Sequence, residues 1–145
     1  MPYSTQSDLE TRITAVNLAR LCNDDLSNPT KADYGVVTAL IARADAMIDA
    51  KVSQVYVVPL STPIDVIIKS ISIDLACYYA MQRKFSDLEM PKDWSAVYTD
   101  AMNNLNDIAD EQLFLNSAQK IASPESAIVA PCEKFNSHGR ILENY

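Results

Sequence analysis

The sequence predicts an all-α protein, a small bundle of about four to five helices followed by an extended C-terminal arm. The chain has only two glycines in 145 residues, whereas a β-rich fold with many tight turns usually needs more positions with positive φ. Apolar residues recur at spacings of three and four over much of residues 1–115, which is typical of amphipathic helices. Beyond about residue 116 this periodicity ends. We therefore expect a helical domain over 1–115 and an arm over 116–145.

Two short helices are predicted at the start of the chain. Thr5 is placed to cap a helix over residues 6–13, and Thr14 to cap a second over residues 15–22, because threonine oxygens accept hydrogen bonds from the first backbone N–H groups of a helix. The polar stretch NDDLSNPT, residues 23–30, then predicts a loop, since Asn, Asp, Ser and Pro favour turns.

A long helix from about Lys31 to about Gln54 follows, with its apolar residues on one stripe and Asp45 and Asp49 mostly off it. Pro59 and the β-branched valines before it then predict an extended strap, residues 55–60. Thr62 and Pro63 form an N-cap and first-turn pair for the next helix.

This next helix, running from Pro63 to about Lys84, is apolar around most of its circumference. We expect it to be central in the bundle or covered by another subunit. A last helix starts near Pro91. Residues 87–111 contain seven acids and one base, which is most often a solvated helix face and which would also discourage binding to DNA.

Composition excludes several classes of protein. The net charge is −7, so tight nonspecific binding to a phosphate backbone is not expected. Three widely spaced cysteines, Cys22, Cys77 and Cys132, argue against a disulfide framework and for a reducing cytoplasm. The N-terminus lacks the apolar core of a signal peptide. The most apolar run, residues 64–81, carries three charges and does not predict a membrane span.

No pattern of catalytic, cofactor or metal-binding residues emerges, so we expect neither an enzyme nor a cofactor. His138 lies in the predicted arm, outside any rigid scaffold, and with Cys132 it supplies only two metal donors. Residues 23–30 lack the glycine and the bidentate glutamate of a calcium loop. Asp74, inside an apolar helix, is predicted to be a buried structural acid that is hydrogen-bonded to a helix terminus or a buried arginine.

Several short elements follow one another in order along the chain. They are Tyr3, Thr5, Asp8 and Leu9; the polar loop 23–30; Met47, Ile48, Asp49, Val52, Tyr56, Pro59 and Leu60; Ile71, Asp74, Leu75, Ala76 and Tyr78; and Tyr98, Asp100, Ala101, Leu105, Ile108 and Ala109. With this succession, over about residues 3–115, the chain resembles the small head–tail connector proteins of tailed bacteriophages, and in particular their Mu-like branch.

The resemblance implies a virion structural protein that performs no chemistry. Such adaptors form a ring, expected to be dodecameric, beneath the portal protein. The ring seals the packaged head and docks the neck or tail-terminator protein, while DNA passes through its lumen without specific binding. The expected location is the head–tail junction of the virion, after assembly in the host cytoplasm and without a membrane.

Two sets of residues are expected to carry these contacts. The arm would bind the portal or another partner through Ile128, Val129, Phe135, Ile141, Leu142 and Tyr145. Subunits would pack through Tyr56, Val58, Ile64, Ile68, Ile71 and Tyr78. The alternative is a small soluble helical binding or regulatory protein that uses its extended arm to contact one partner.

Overall fold

The computed structural model of the chain describes residues 1–24, 30–85 and 90–122. Over these residues it contains five helices, and its β-structure is limited to one isolated bridge. The helices are α1 (Gln6–Ile13), α2 (Ala15–Cys22), α3 (Tyr34–Val52), α4 (Val66–Lys84) and α5 (Lys92–Ala109). The prediction of an all-α body with four to five helices is confirmed.

The first two helices have the predicted bounds and caps. The Thr5 side chain accepts from the Asp8 N–H, and the Asp8 carboxylate accepts from the Thr5 N–H at 2.9 Å, which completes a capping box. Thr14 ends α1 and, with a left-handed φ of 69°, turns the chain so that its side chain caps α2. The local sequence therefore determines this helical hairpin.

The two long central helices begin later than predicted. α3 starts at Tyr34 because the Asp33 carboxylate accepts from the N–H groups of Gly35 and Val36. α4 starts at Val66, and the predicted Thr62 cap is wrong. Asp65 occupies the N-cap position, but it makes no side-chain cap hydrogen bond within its own helix.

The core lies around α4, which packs against each of the other four helices. α3 packs in turn against α1, α4 and α5. Large side chains from all five helices are fully buried here, namely Leu9, Leu18, Ile48, Ile68, Leu75, Leu105 and Ile108. Of the two explanations for the apolar circumference of α4, a central position within its own chain is therefore the one observed.

Two cysteines lie in this core as free thiols. Cys22 and Cys77 are both buried, and burial raises the pKa of Cys77 to about 12. Within the described ranges, no group of three or more His, Cys, Asp or Glu side chains is arranged to hold a metal ion. No helix there has the length and apolar character needed to cross a membrane.

Candidate functional site

The strap, residues 55–60, is paired with the start of the arm. We call residues 115–121 the arm root. Tyr56 and Lys120 form an antiparallel bridge. On either side of it, the Val57 N–H donates to the Gln119 carbonyl and the Ile121 N–H donates to the Val55 carbonyl, both at 2.8 Å. Residues 119–121 therefore lie against the helical body as a short extended segment.

Tyr56, whose side chain is buried in the helical body, anchors the arm root. Its side chain is 1% exposed, and its hydroxyl oxygen accepts from the Leu115 N–H at 3.0 Å. The Lys120 ammonium lies 4.6 Å from the centre of the Phe114 ring and 3.0 Å from a Glu111 carboxylate oxygen. A buried phenol thus satisfies a buried backbone donor that would otherwise lack a partner.

A second contact joins the arm root to the start of α4. The Asp65 carboxylate accepts from the Ser117 N–H at 3.1 Å and from the Ser117 hydroxyl at 2.7 Å. The side chain that would cap α4 therefore binds a residue 52 positions away. The carboxylate of the N-cap residue therefore holds the arm root instead of capping α4.

The N-terminal tether, residues 1–5, is held by a separate polar network. The Tyr3 hydroxyl donates to the Asp49 carboxylate and accepts from the Leu60 N–H at 2.9 Å. The Tyr3 N–H donates to Asp45 at 3.0 Å, and the Ser72 hydroxyl donates to the other Asp45 oxygen at 2.7 Å. The tether therefore joins α3, α4 and the strap.

Burial perturbs the ionisable groups of this network. Removal from water raises the pKa of Asp45, although the hydrogen bonds from Ser72 and Tyr3 act in the opposite direction. Burial, followed by the hydrogen bond to Asp49, raises the pKa of Tyr3. Over the described residues, neither Asp45 nor Asp49 has a Lys or Arg within ion-pair distance.

A groove of about 730 Å³ runs between the tether and α3. Its walls include Met1 and Tyr34, which are 92% and 74% exposed. Its lining is mostly apolar, with Asp45 and Asp49 as its two carboxylates. The shape and chemistry suit an extended apolar segment that carries a positive charge.

The outer surface of α5 is acidic. Asp93, Asp100 and Asp107 recur every seven residues, which places them on one face because seven residues complete nearly two helical turns. Asp93 and Asp100 are exposed and Asp107 is half-buried. The buried face of the same helix carries Ala101, Leu105 and Ile108.

The residues predicted to pack between subunits lie in two environments. Tyr56, Ile68 and Ile71 are at most 3% exposed within the chain itself. The other three, Val58, Ile64 and Tyr78, are only partly buried against the core. Tyr78 stacks on Tyr98 with ring centres 4.5 Å apart. A role in subunit packing stays a prediction, and only the second group has side-chain surface to offer a neighbour.

Asp74 differs from its prediction as a buried acid. Its side chain is 24% exposed and pairs with Arg12 of α1 at 2.9 Å, and Arg12 is itself 46% exposed. The carboxylate therefore lies at the edge of the α1–α4 contact.

The predicted arm contacts Ile128, Val129, Phe135, Ile141, Leu142 and Tyr145 lie outside the described residues, as do Cys132 and His138. Residues 25–29 of the loop considered for calcium also lie outside them. Nothing in the structure bears on these predictions. The described start of the arm is nevertheless attached to the body rather than separate from it.

Sequence reasoning missed Asp45 and Ser72. The prediction placed Asp45 and Asp49 mostly off the apolar stripe and gave them no partners, and in the structure both are half-buried. Ser72 is fully buried and also bonds to Ser4 at 2.8 Å. A signal was present in Ser72, a small polar residue within an apolar helix. Its partner, however, could not be identified without the fold.

Comparison with known proteins identifies the family. The family model described as bacteriophage Mu, Gp36 matches residues 3–130. Those residues include all five helices, the strap and the arm root. No curated protein matches the chain. Because the family model covers most of the sequence, this chain belongs to the bacteriophage Mu Gp36 family.

Proposed function

We propose that this protein is a head-to-tail adaptor, a virion subunit that forms a ring beneath the portal protein. The ring, expected to be dodecameric, seals the packaged head and docks the neck or tail-terminator protein. The observation that carries the proposal is membership of a Mu phage protein family over residues 3–130, together with the ordered elements that resemble head–tail connectors. The role is structural and involves no catalysis.

The charge distribution supports a position around the DNA path. Asp93, Asp100 and Asp107 form a negative stripe along α5. A stripe of carboxylates facing a lumen would repel the phosphate backbone, so DNA would slide through without binding.

The arm supports a role in attachment. Its root is bound to the strap and to Asp65, and residues 123–145 follow with the apolar residues predicted to contact a partner. An extended segment of this kind adds apolar anchors to a groove or sheet edge, at the cost of ordering it.

The test is sedimentation of a phage lysate, with the particle fraction analysed by mass spectrometry. We expect the chain to sediment with DNA-filled particles, to remain after washing with salt, and to be imaged at one vertex. If it stays in the soluble fraction while other virion proteins sediment, the adaptor proposal fails. A small soluble regulatory protein then becomes the better explanation.

A truncation separates the arm from the ring. The cut belongs after Ala122 rather than after Leu115, because residues 117–121 hydrogen-bond to the body. We expect the shortened chain to keep its helical circular dichroism but to lose attachment to portal-bearing heads. Full attachment would contradict the role of the arm.

A further inference from the structure

The groove between the tether and α3 presents a surface that the described chain does not cover. Along its α3 side, Thr38, Ala42 and Ala46 are exposed and recur every four residues, so they lie on one face of the helix. Their small side chains leave room for the side chains of an occupant. The buried Val37 and Ile41 complete an apolar floor.

The charge of the groove narrows the choice of occupant. The carboxylates of Asp8, Asp24 and Asp74 each pair with a lysine or arginine. Asp45 and Asp49 are hydrogen-bonded but have no ion pair within the described part of the chain. Met1 also lines the groove, and its ammonium acts to lower the pKa of Asp45, so it offsets part of this negative charge. A segment that places a basic side chain beside large apolar residues would therefore complement the groove in both charge and polarity.

A segment beyond the described residues has this local pattern. In residues 132–145, Lys134 is followed directly by Phe135, and Arg140 by Ile141 and Leu142, with Glu133 and Glu143 outside these two runs. We propose that the groove binds residues 132–145 of a neighbouring copy of this chain. Cys132 is the tenth residue after Ala122, so the segment begins at most about 35 Å from Ala122 when the chain is extended. This reach is about the diameter of a small domain, which brings an adjacent subunit within range.

The positions of the groove and the arm favour a second copy over the same chain. Lys51 of α3 donates to Asn106 of α5 at 3.0 Å, and Lys51 lies six residues after Asp45, or about 120° around the helix. The chain therefore passes from α5 into the arm root on a different side of α3 from the groove. A ring needs two different faces on each subunit that fit one another head to tail. This step rests on the proposed ring.

Under this proposal, two parts of the arm bind two different partners. Its distal end, with Phe135, Ile141, Leu142 and Tyr145, would join neighbouring subunits. Its proximal residues Ile128 and Val129 would remain for the portal. Each subunit would then be linked to the next through a segment that leaves one body and enters the groove of another.

The test places a photo-cross-linking amino acid, p-benzoylphenylalanine, at position 42 of the full-length chain. Equal amounts of ¹⁴N- and ¹⁵N-labelled protein are mixed, irradiated and mapped by mass spectrometry. We expect heavy–light cross-links from position 42 to residues 132–145. The matched control is position 50, since Ala50 is an exposed alanine of the same helix that does not line the groove. No such cross-links are expected there.

Charge reversal provides a second measurement. The double variant Lys134→Glu, Arg140→Glu should lower the heavy–light yield at position 42 several-fold, with unchanged circular dichroism. Cross-links confined to one copy, cross-links to another protein, or none at all would each overturn the inference. If the chain sediments with particles but gives no heavy–light cross-links, only this inference fails. If purified chains give them but do not bind particles, the inference stands and the position beneath the portal fails.

Discussion

The N-terminal tether and the arm root are attached to the helical body by the same device, a buried tyrosine hydroxyl that accepts from a buried backbone N–H. Tyr3 accepts from Leu60, and Tyr56 accepts from Leu115. Their surroundings differ, because the Tyr3 hydroxyl also donates to the Asp49 carboxylate and lies near Asp45. Asp45, which accepts from the tether, has its pKa raised by burial. The arm root contacts a different carboxylate, that of Asp65, through Ser117.

One helical body can therefore hold two terminal segments whose attachments respond differently to pH and to occupation of the groove. The tether depends on carboxylates that lie half-buried along the groove, so its stability responds to pH and to whatever enters the groove. The arm root also contacts a carboxylate, Asp65, but it depends mainly on a large buried ring and on backbone pairing away from the groove. It should therefore stay attached when the groove is filled or emptied.

The largest loss of stability is expected when the Tyr56 side chain that anchors the arm root is removed. Tyr56→Ala should lower the free energy of unfolding by about 3–5 kcal/mol, the usual cost of removing a buried aromatic ring. It should also speed amide hydrogen exchange at Val57 and Ile121. Urea denaturation and exchange mass spectrometry measure both quantities. Tyr34→Ala is the control, because Tyr34 is 74% exposed. Equal losses in the two variants would contradict a buried anchor.

A smaller effect is expected from removing a hydroxyl alone. Tyr3→Phe leaves the Leu60 N–H without its acceptor and Asp49 without its donor, and should cost about 1–3 kcal/mol in urea denaturation. Tyr56→Phe leaves only the Leu115 N–H without its acceptor, so we expect a smaller loss of stability. If Tyr56→Phe proved the more costly, the tether would not depend on its carboxylates as described.

Removing one hydrogen bond at the arm root should have a lesser effect. Ser117→Ala deletes the hydroxyl that donates to Asp65 and should lower the free energy of unfolding by about 1 kcal/mol. Exchange should become faster in residues 117–121 but remain unchanged in the tether. Ser95→Ala, at an exposed position of α5, controls for the loss of a hydroxyl as such. Faster exchange in the tether as well would show that the two anchors are coupled.

The smallest effect is a difference in pH dependence. Because burial raises the pKa of Asp45 above its ordinary 3.8, the folded state holds that proton more tightly than the unfolded state. Its contribution to stability therefore falls as the pH rises through this window. Asp45→Asn cannot titrate, so its stability relative to wild type should improve between about pH 3 and pH 7.

Asp8 provides the matched control with the opposite sign. Burial acts to raise the pKa of Asp8, but hydrogen bonds from Lys69 and Thr5 outweigh it and lower the pKa. Its stabilisation is present at neutral pH and is lost on acidification. Asp8→Asn should therefore become less stable relative to wild type as the pH rises. Urea denaturation at several pH values measures both slopes, and slopes of the same sign would contradict the different environments of the two carboxylates.

Much of the fold could be predicted because its signals are local. Thr5 and Thr14 cap α1 and α2 as expected, since a cap and its helix lie within three residues of each other. The apolar spacing in α3 and α4 also predicted the two central helices. The missing side-chain cap of α4 could not be predicted, because Asp65 binds Ser117 across 52 positions and no local pattern contains that information.

The candidate site was predictable only in part. The strap was identified from Pro59 and its valines, whereas Tyr56 was predicted to pack between subunits and its bond to the arm root was not foreseen. Its partner in the arm root was not identified, since a single bridge at Lys120 leaves no strand pattern in the sequence. The apolar spacing of α3 placed Asp45 and Asp49 mostly off its stripe, and it carried no sign that another segment covers them. The tether covers them, and only the fold brings Tyr3 to that face.

Local sequence accounts for the helical class, the caps of the first two helices and the acidic face of α5. These depend on the spacing of side chains along a single helix, over one or two turns. Tertiary structure alone decided which carboxylates leave water, where the arm root pairs and where the groove opens. Those features join residues from 27 positions apart, as in Asp45 and Ser72, to 66 apart, as in Val55 and Ile121, and such contacts form only when burial of the shared core brings the helices together.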